Sequence, residues 1–157
     1  MKKIILAYAV LIIALVILAF TRSGKLSLPF GGPSAQVLVG NHAFDVYVAK
    51  NDKERMAGLT KYDKLDKDKG MLFVFDKKDN YSFWMRNMKF PIDIVFIDEN
   101  KIIDIAEGAE PVKGDENPSG VPIYRSKEKG NYVLEVNSGL VKEYSIKVGD
   151  KVTFKNL

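Results

Sequence analysis

The chain has 157 residues, 46% of them hydrophobic, with one histidine, no cysteine and a formal net charge of +4. That is material for one domain with a core, and it excludes disulfide frameworks, thiol catalysis and cysteine-ligated zinc. With His42 alone available, a multi-histidine metal centre is excluded as well, which leaves carboxylate, Lys, Tyr or Ser/Thr chemistry, or plain binding.

Ile4 to Phe20 is an uncharged run of 17 residues, 12 of them Ile, Leu, Val or Phe. As a helix it spans about 25 Å, slightly under a hydrocarbon core of roughly 30 Å. Lys2, Lys3 and Arg22 can snorkel to close that gap. The run exceeds the usual signal-peptide apolar region of about 7–15 residues, and Ala19–Arg22 offers no small-residue cleavage site. An uncleaved transmembrane anchor is therefore expected in preference to a cleaved signal peptide. Residues 1–24 are read as the anchor and its flanks, 25–34 as a linker rich in Gly, Pro and Ser, and 35–157 as the folded domain. The flanking charges lean toward a cytoplasmic N-terminus, which puts a single-pass protein in the cell membrane with its domain outside. Lys2, Lys3, Arg22 and Lys25 account for the whole net charge of +4, so the domain itself is near neutral. That balance argues against a nucleic-acid partner.

The domain reads mostly as short strands. Gln36–Val39 and Ala43–Ala49 alternate around a Gly40-Asn41 turn and predict a hairpin. Asn51 with Glu54 forms a capping-box pattern that opens a short helix through Leu59, with Gly58 helping to end it. Tyr62–Gly70 reads as a charged loop and Met71–Phe75 as a buried strand. Asp76–Asn80 is expected to turn the chain, and Tyr81–Arg86 to return as a strand. Ile92–Asp98 and Lys101–Glu107 make the clearest hairpin. Gly108–Gly130, long and rich in Gly and Pro, is a candidate functional loop. Tyr132–Val136 is a strand, Ser138–Tyr144 a short helix, and Val148–Asp150 a turn into a last strand, Lys151–Lys155. Without a βαβ rhythm, the expected fold is all-β: a sandwich or barrel-like domain with two short helices, behind one N-terminal transmembrane helix.

Several ordered blocks carry a resemblance. Glu54-Arg55-x-x-Gly58-Leu59, Gly70-Met71-Leu72-Phe73-Val74-Phe75, Phe83-Trp84-Met85-Arg86-Asn87, Pro91-Ile92-Asp93-Ile94-x-Phe96 and Tyr132-Val133-Leu134-Glu135-Val136-Asn137-x-Gly139 follow one another at plausible spacing. Together they resemble the domain-of-unknown-function 192 family over about residues 36–154. The resemblance implies a compact β-sandwich-like domain, often carried behind a signal or membrane segment in bacteria and archaea. It implies no established activity.

The candidate site residues divide by chemistry. In Tyr81–Met88, strand alternation puts Tyr81, Phe83 and Met85 on one side and Ser82, Trp84 and Arg86 on the other. Trp84 beside Arg86 suits a sugar face plus a carboxylate or phosphate; the alternative is a core tryptophan with an arginine at its rim. Asp93 sits inside an apolar run, where a carboxylate needs a partner. Arg55 and Arg86 are the candidate partners; Asp93 is either an anchoring acid in a cleft or a structural ion pair or backbone cap. Tyr124 and Arg125 of the long loop are candidates for the rim beside Trp84. Asp93 with Glu135 or Asp45 is the carboxylate pair a hydrolase would need. Asn80-Tyr81-Ser82 matches a glycosylation acceptor. Asp63, Asp66 and Asp68 fail the EF-hand pattern, because the sixth and twelfth places from Asp66 hold Met71 and Lys77, so no metal or cofactor is expected.

The reading is a membrane-anchored, extracytoplasmic module that binds an envelope saccharide or small anion through Arg55, Trp84, Arg86, Asp93 and Tyr124. Its alternatives are a carboxylate-dependent hydrolase of envelope polymers and a protein-interaction module for membrane partners.

Overall fold

The computed structural model describes residues 33–112 and 120–157. The anchor expected over residues 4–20 lies outside them; among the described residues no helix is long and apolar enough to cross a membrane. The elements in chain order are β1 (Ala35–Val39), β2 (His42–Ala49), α1 (Asp52–Ala57), a 3-10 turn (Gly58–Lys61), β3 (Lys69–Asp79) and β4 (Ser82–Trp84). There follow β5 (Ile92–Asp98), β6 (Lys101–Ala109), β7 (Ile123–Arg125), β8 (Gly130–Asn137), α2 (Leu140–Glu143) and β9 (Val152–Lys155).

Seven strands form one sheet in the order β6-β5-β8-β3-β2-β1-β9. The sheet is curled, and its two edges meet at one end. There the Val152 N–H donates to the Asn100 carbonyl at 2.7 Å, Ile102 N–H to Asp150 at 3.0 Å and Gly149 N–H to Ile102 at 2.8 Å. Curling hides sheet edges that would otherwise template association. All neighbours are antiparallel except β2 and β3, which run parallel across a crossover carrying α1 and the 3-10 turn. The expected β-dominated fold with two short helices is what the described residues form, with that one crossover added.

Alternation sorts two cores. Val37, Phe44, Val46, Leu72, Val95, Ile97, Leu134 and Val136 fill the concave side, joined by Leu140 and Val141 of α2. Met71, Phe73, Ile94, Phe96 and Val133 face the other way, under Leu59, Met85 and Met88. The central strands β3, β8 and β5 are therefore covered on both faces, which is why they read as continuous apolar runs and not as alternating ones. A β4–β7 ribbon lies over the outer face, with Phe83 edge-on to Phe73 at 5.0 Å and to Phe96 at 6.1 Å.

Three local expectations are corrected. Asp76–Asn80 is no turn, because β3 continues to Asp79, whose partner is Gly130. This end projects into solvent, so its polar residues report hydration and not a change of direction; Lys78 there bridges Asp98 and Glu99, each at 2.8 Å. The strand over Tyr81–Arg86 shrinks to Ser82–Trp84, with Arg86 in an isolated bridge to Val112. Gly108–Gly130 is not one loop: it contains the end of β6, all of β7 and the start of β8, with residues 113–119 outside the described chain.

Gly70 shows how close β3 and β8 lie. A Cβ at this position would fall 2.7 Å from the Glu135 carbonyl oxygen and 3.2 Å from Leu134 Cδ1. Gly70→Ala is expected to lower unfolding free energy by about 1–3 kcal/mol, as overpacking of backbone against backbone does. Urea titration measures it, and a loss below about 0.5 kcal/mol would show that the strands part easily.

Candidate functional site

A cleft of about 590 Å³ opens between α1 with its 3-10 turn on one side and the β4 segment on the other. Its first wall is set by the helix cap. The Asn51 side chain accepts from the Glu54 N–H at 3.0 Å, and the Glu54 carboxylate accepts from the Lys50 N–H at 2.8 Å. The Lys50 N–H, joined by the Asn51 N–H at 3.4 Å, holds the Glu54 carboxyl below the usual range. Gly58 ends the helix at φ 49°, ψ −145°, a conformation essentially reserved for glycine. One turn into this short helix, Arg55 reaches down onto β3.

The Arg55 guanidinium is tightly held. Its Nη1 donates to the Lys50 carbonyl at 2.7 Å and the Val74 carbonyl at 2.9 Å, and its Nη2 to Asp52 Oδ1 at 2.6 Å. It also lies 5.1 Å over the Phe75 ring, which stacks on Tyr81 at 3.5 Å with an interplanar angle of 11°. The Tyr81 hydroxyl donates to the Lys77 carbonyl at 2.7 Å. Arg55 thus welds α1 to the strand layer and shapes an aromatic wall of Phe73, Phe75, Tyr81 and Phe83.

The opposite side is looser. Trp84 is 62% exposed, and its neighbour along the rim, Arg86, is exposed and makes no ion pair among the described residues. The exposed Met56 lines the cleft from α1.

Glu135 of β8 also lines the cleft. Its strand neighbours Leu134 and Val136 point into the concave core, so alternation turns Glu135 to the outer face between Met71 of β3 and Ile94 of β5. It is only 7% exposed and its carboxyl has no hydrogen-bond partner among the described residues. Burial among apolar neighbours pushes its pKa up to about 8. At neutral pH this side chain is mainly a neutral acid, able to donate one hydrogen bond.

The model of the DUF192 family, described as uncharacterized ACR, matches residues 35–154, three quarters of the chain. The chain belongs to the DUF192 family. No curated protein matches it. It is similar to a protein of unknown function from Novosphingobium aromaticivorans DSM 12444, at 32% identity over 75% of this chain and 83% of that one, with a TM-score of 0.67. It is also similar to a candidate transcription regulator from Sinorhizobium meliloti 1021, at 30% identity over 78% and 93% of the two chains, with a TM-score of 0.68.

In this DUF192 domain the expected site residues part company. Arg55, Trp84 and Arg86 line one cleft. Asp93 does not, and neither arginine is its partner. Fully buried on the concave side, it accepts from the Gly108 N–H at 2.8 Å, the Gly139 N–H at 2.9 Å and the Val141 N–H at 3.0 Å. It therefore caps α2 and pins the end of β6 to it, the backbone-capping alternative of the sequence reading. Asp93 pairs with Val136 and Glu135 with Ile94, so the two acids face opposite sides of the sheet and form no catalytic pair. Asp45, exposed on β2, accepts from Gln36 at 2.8 Å and stands apart from both.

Tyr124 pairs with Phe83 in the ribbon and packs on the outer core, outside the cleft lining. Asn80 Nδ2, the atom a glycan would occupy, donates to the Ser126 carbonyl at 2.9 Å and joins the chain ahead of β4 to that after β7. Among the described residues no cluster of three metal-ligating side chains occurs. Glu135, expected only as a carboxylate partner for Asp93, is the acid that lines the cleft. It lies inside an apolar run as Asp93 does, so the same signal was present, and only the register separates their roles.

Proposed function

We propose that this DUF192 domain is a binding module held at the outer face of the cell membrane by residues 4–20, and that the cleft between α1 and β4 takes an envelope saccharide or small anion. The observation that carries the reading is the pairing of an exposed indole, Trp84, with an arginine, Arg86, that makes no ion pair among the described residues, at the mouth of an aromatic-walled cleft. An indole face stacks on the C–H face of a sugar ring, and a guanidinium grips carboxylate or phosphate oxygens in a fork. Arg55 plays a different part from the one its charge suggests: its donors face backbone carbonyls and Asp52, so it builds the wall.

Trp84 is the sole tryptophan, which gives the test its reporter. The full chain in detergent micelles is expected to emit at long wavelength and to be quenched readily by acrylamide. Saccharide or anion binding should shift the emission to the blue and protect it. Trp84→Ala, followed by calorimetry, should weaken binding about tenfold, equivalent to ~1.4 kcal/mol. Unaltered affinity in Trp84→Ala would remove the stacking face from the site.

A further inference from the structure

We infer that the Glu135 carboxyl is the hydrogen-bond donor at the floor of the α1–β4 cleft, and that with Arg86 at the mouth it selects an acidic sugar, one bearing a carboxylate or a phosphate. This rests on the reading of the cleft as a saccharide or anion site and names the ligand chemistry.

A buried polar side chain almost always has a partner. Glu135 is more than nine-tenths buried and lines an open cleft, yet no described residue bonds its carboxyl. Its cross-strand neighbours, Met71 and Ile94, offer neither a donor nor a cation. Among the described residues nothing beside it stabilises an anionic form, and a ligand oxygen is the partner that the open side admits.

The other titratable groups lining the cleft are Asp52, Arg55, Tyr81 and Arg86. Asp52 and Arg55 pair at 2.6 Å and cancel. Tyr81 is engaged with the Lys77 carbonyl, and burial raises its ionisation further from neutrality. With Glu135 uncharged, the described lining keeps one unbalanced charge, the Arg86 guanidinium. An acidic sugar satisfies every feature at once. Its ring lies against Trp84, its anionic group meets Arg86, and a ligand oxygen accepts the Glu135 proton. Ionised Glu135 would reverse this by cancelling Arg86 and presenting acceptors only.

The experiment is calorimetry on the full chain in micelles with glucuronate, glucose 6-phosphate and glucose, from about pH 7 to about pH 9.5, a window that spans the Glu135 titration. At the lower end one or both acidic sugars should bind at least about tenfold more tightly than glucose. The better of the two identifies carboxylate or phosphate as the preferred group. That advantage should fall toward higher pH, approaching about tenfold per unit above the titration. Glu135→Gln keeps a donor and cannot ionise, so its acidic-sugar affinity should stay level across the range. Glu135→Leu should be weak throughout. Equal affinity for the three sugars overturns the inference, as does a Glu135→Gln profile that still falls with pH. No binding of any of the three would overturn the underlying reading of the cleft instead.

Discussion

Asp93→Asn is expected to remove about 3–5 kcal/mol of stability, a large share of the roughly 5–15 kcal/mol that holds an ordinary domain folded. One carboxylate oxygen accepts from Gly108, the other from both Gly139 and Val141. An asparagine keeps one oxygen and replaces the other with an N–H₂ group, so a donor faces a buried donor whichever way the amide turns. The site is fully buried, and water cannot repair the loss. Urea unfolding followed by circular dichroism measures the effect. A loss under about 1 kcal/mol would mean that α2 and the end of β6 hold together without this acid.

Glu135 makes the second large effect, and it depends on pH. The unfolded carboxyl ionises near 4.5 and the native one near 8. Between those values the native state binds more protons than the unfolded state, so stability is full below about 4.5 and declines as the pH rises through about 8. At ~1.4 kcal/mol per unit, the decline amounts to roughly 3–5 kcal/mol. Glu135→Gln should flatten it, leaving wild type and variant far apart at pH 9 and close together at pH 4.5. Parallel stability curves for the two proteins would show that Glu135 is solvated or partnered in the native state. A cleft floor that weakens its own fold at alkaline pH fits a site shaped for a ligand and not for stability alone.

Local chemistry made much of the fold legible. The Gly40-Asn41 turn, the capping box at Asn51 and Glu54 and the Ile92–Asp98 strand are produced by interactions that span a few residues, and all three stand in the structure. The failures have a common cause. Asp76–Asp79 is polar because β3 outruns the sheet body, and β7 is hidden in a Gly/Pro-rich stretch because its strand partner among the described residues is β4, far back in the chain. Neither fact leaves a mark on its own segment.

The candidate site divides in the same way. The segment around Trp84 fixed which side chains share a face, and strand geometry alone was enough for that. Asp93 and Glu135 are both acids within apolar runs, and from the sequence they carry equal claims to a cleft. Their fates were decided by pairing. The register of β5 against β8 turned Asp93 to the concave core, where three backbone N–H groups surround it, and turned Glu135 outward, where none do. Short-range patterning thus determined most of the strands, the capped helix and the shared face of Trp84 and Arg86, while the exposure of that face came from the tertiary structure. Only the tertiary structure could tell the capping carboxylate from the neutral acid in the cleft, because a shift of one residue in register exchanges the two faces of a strand.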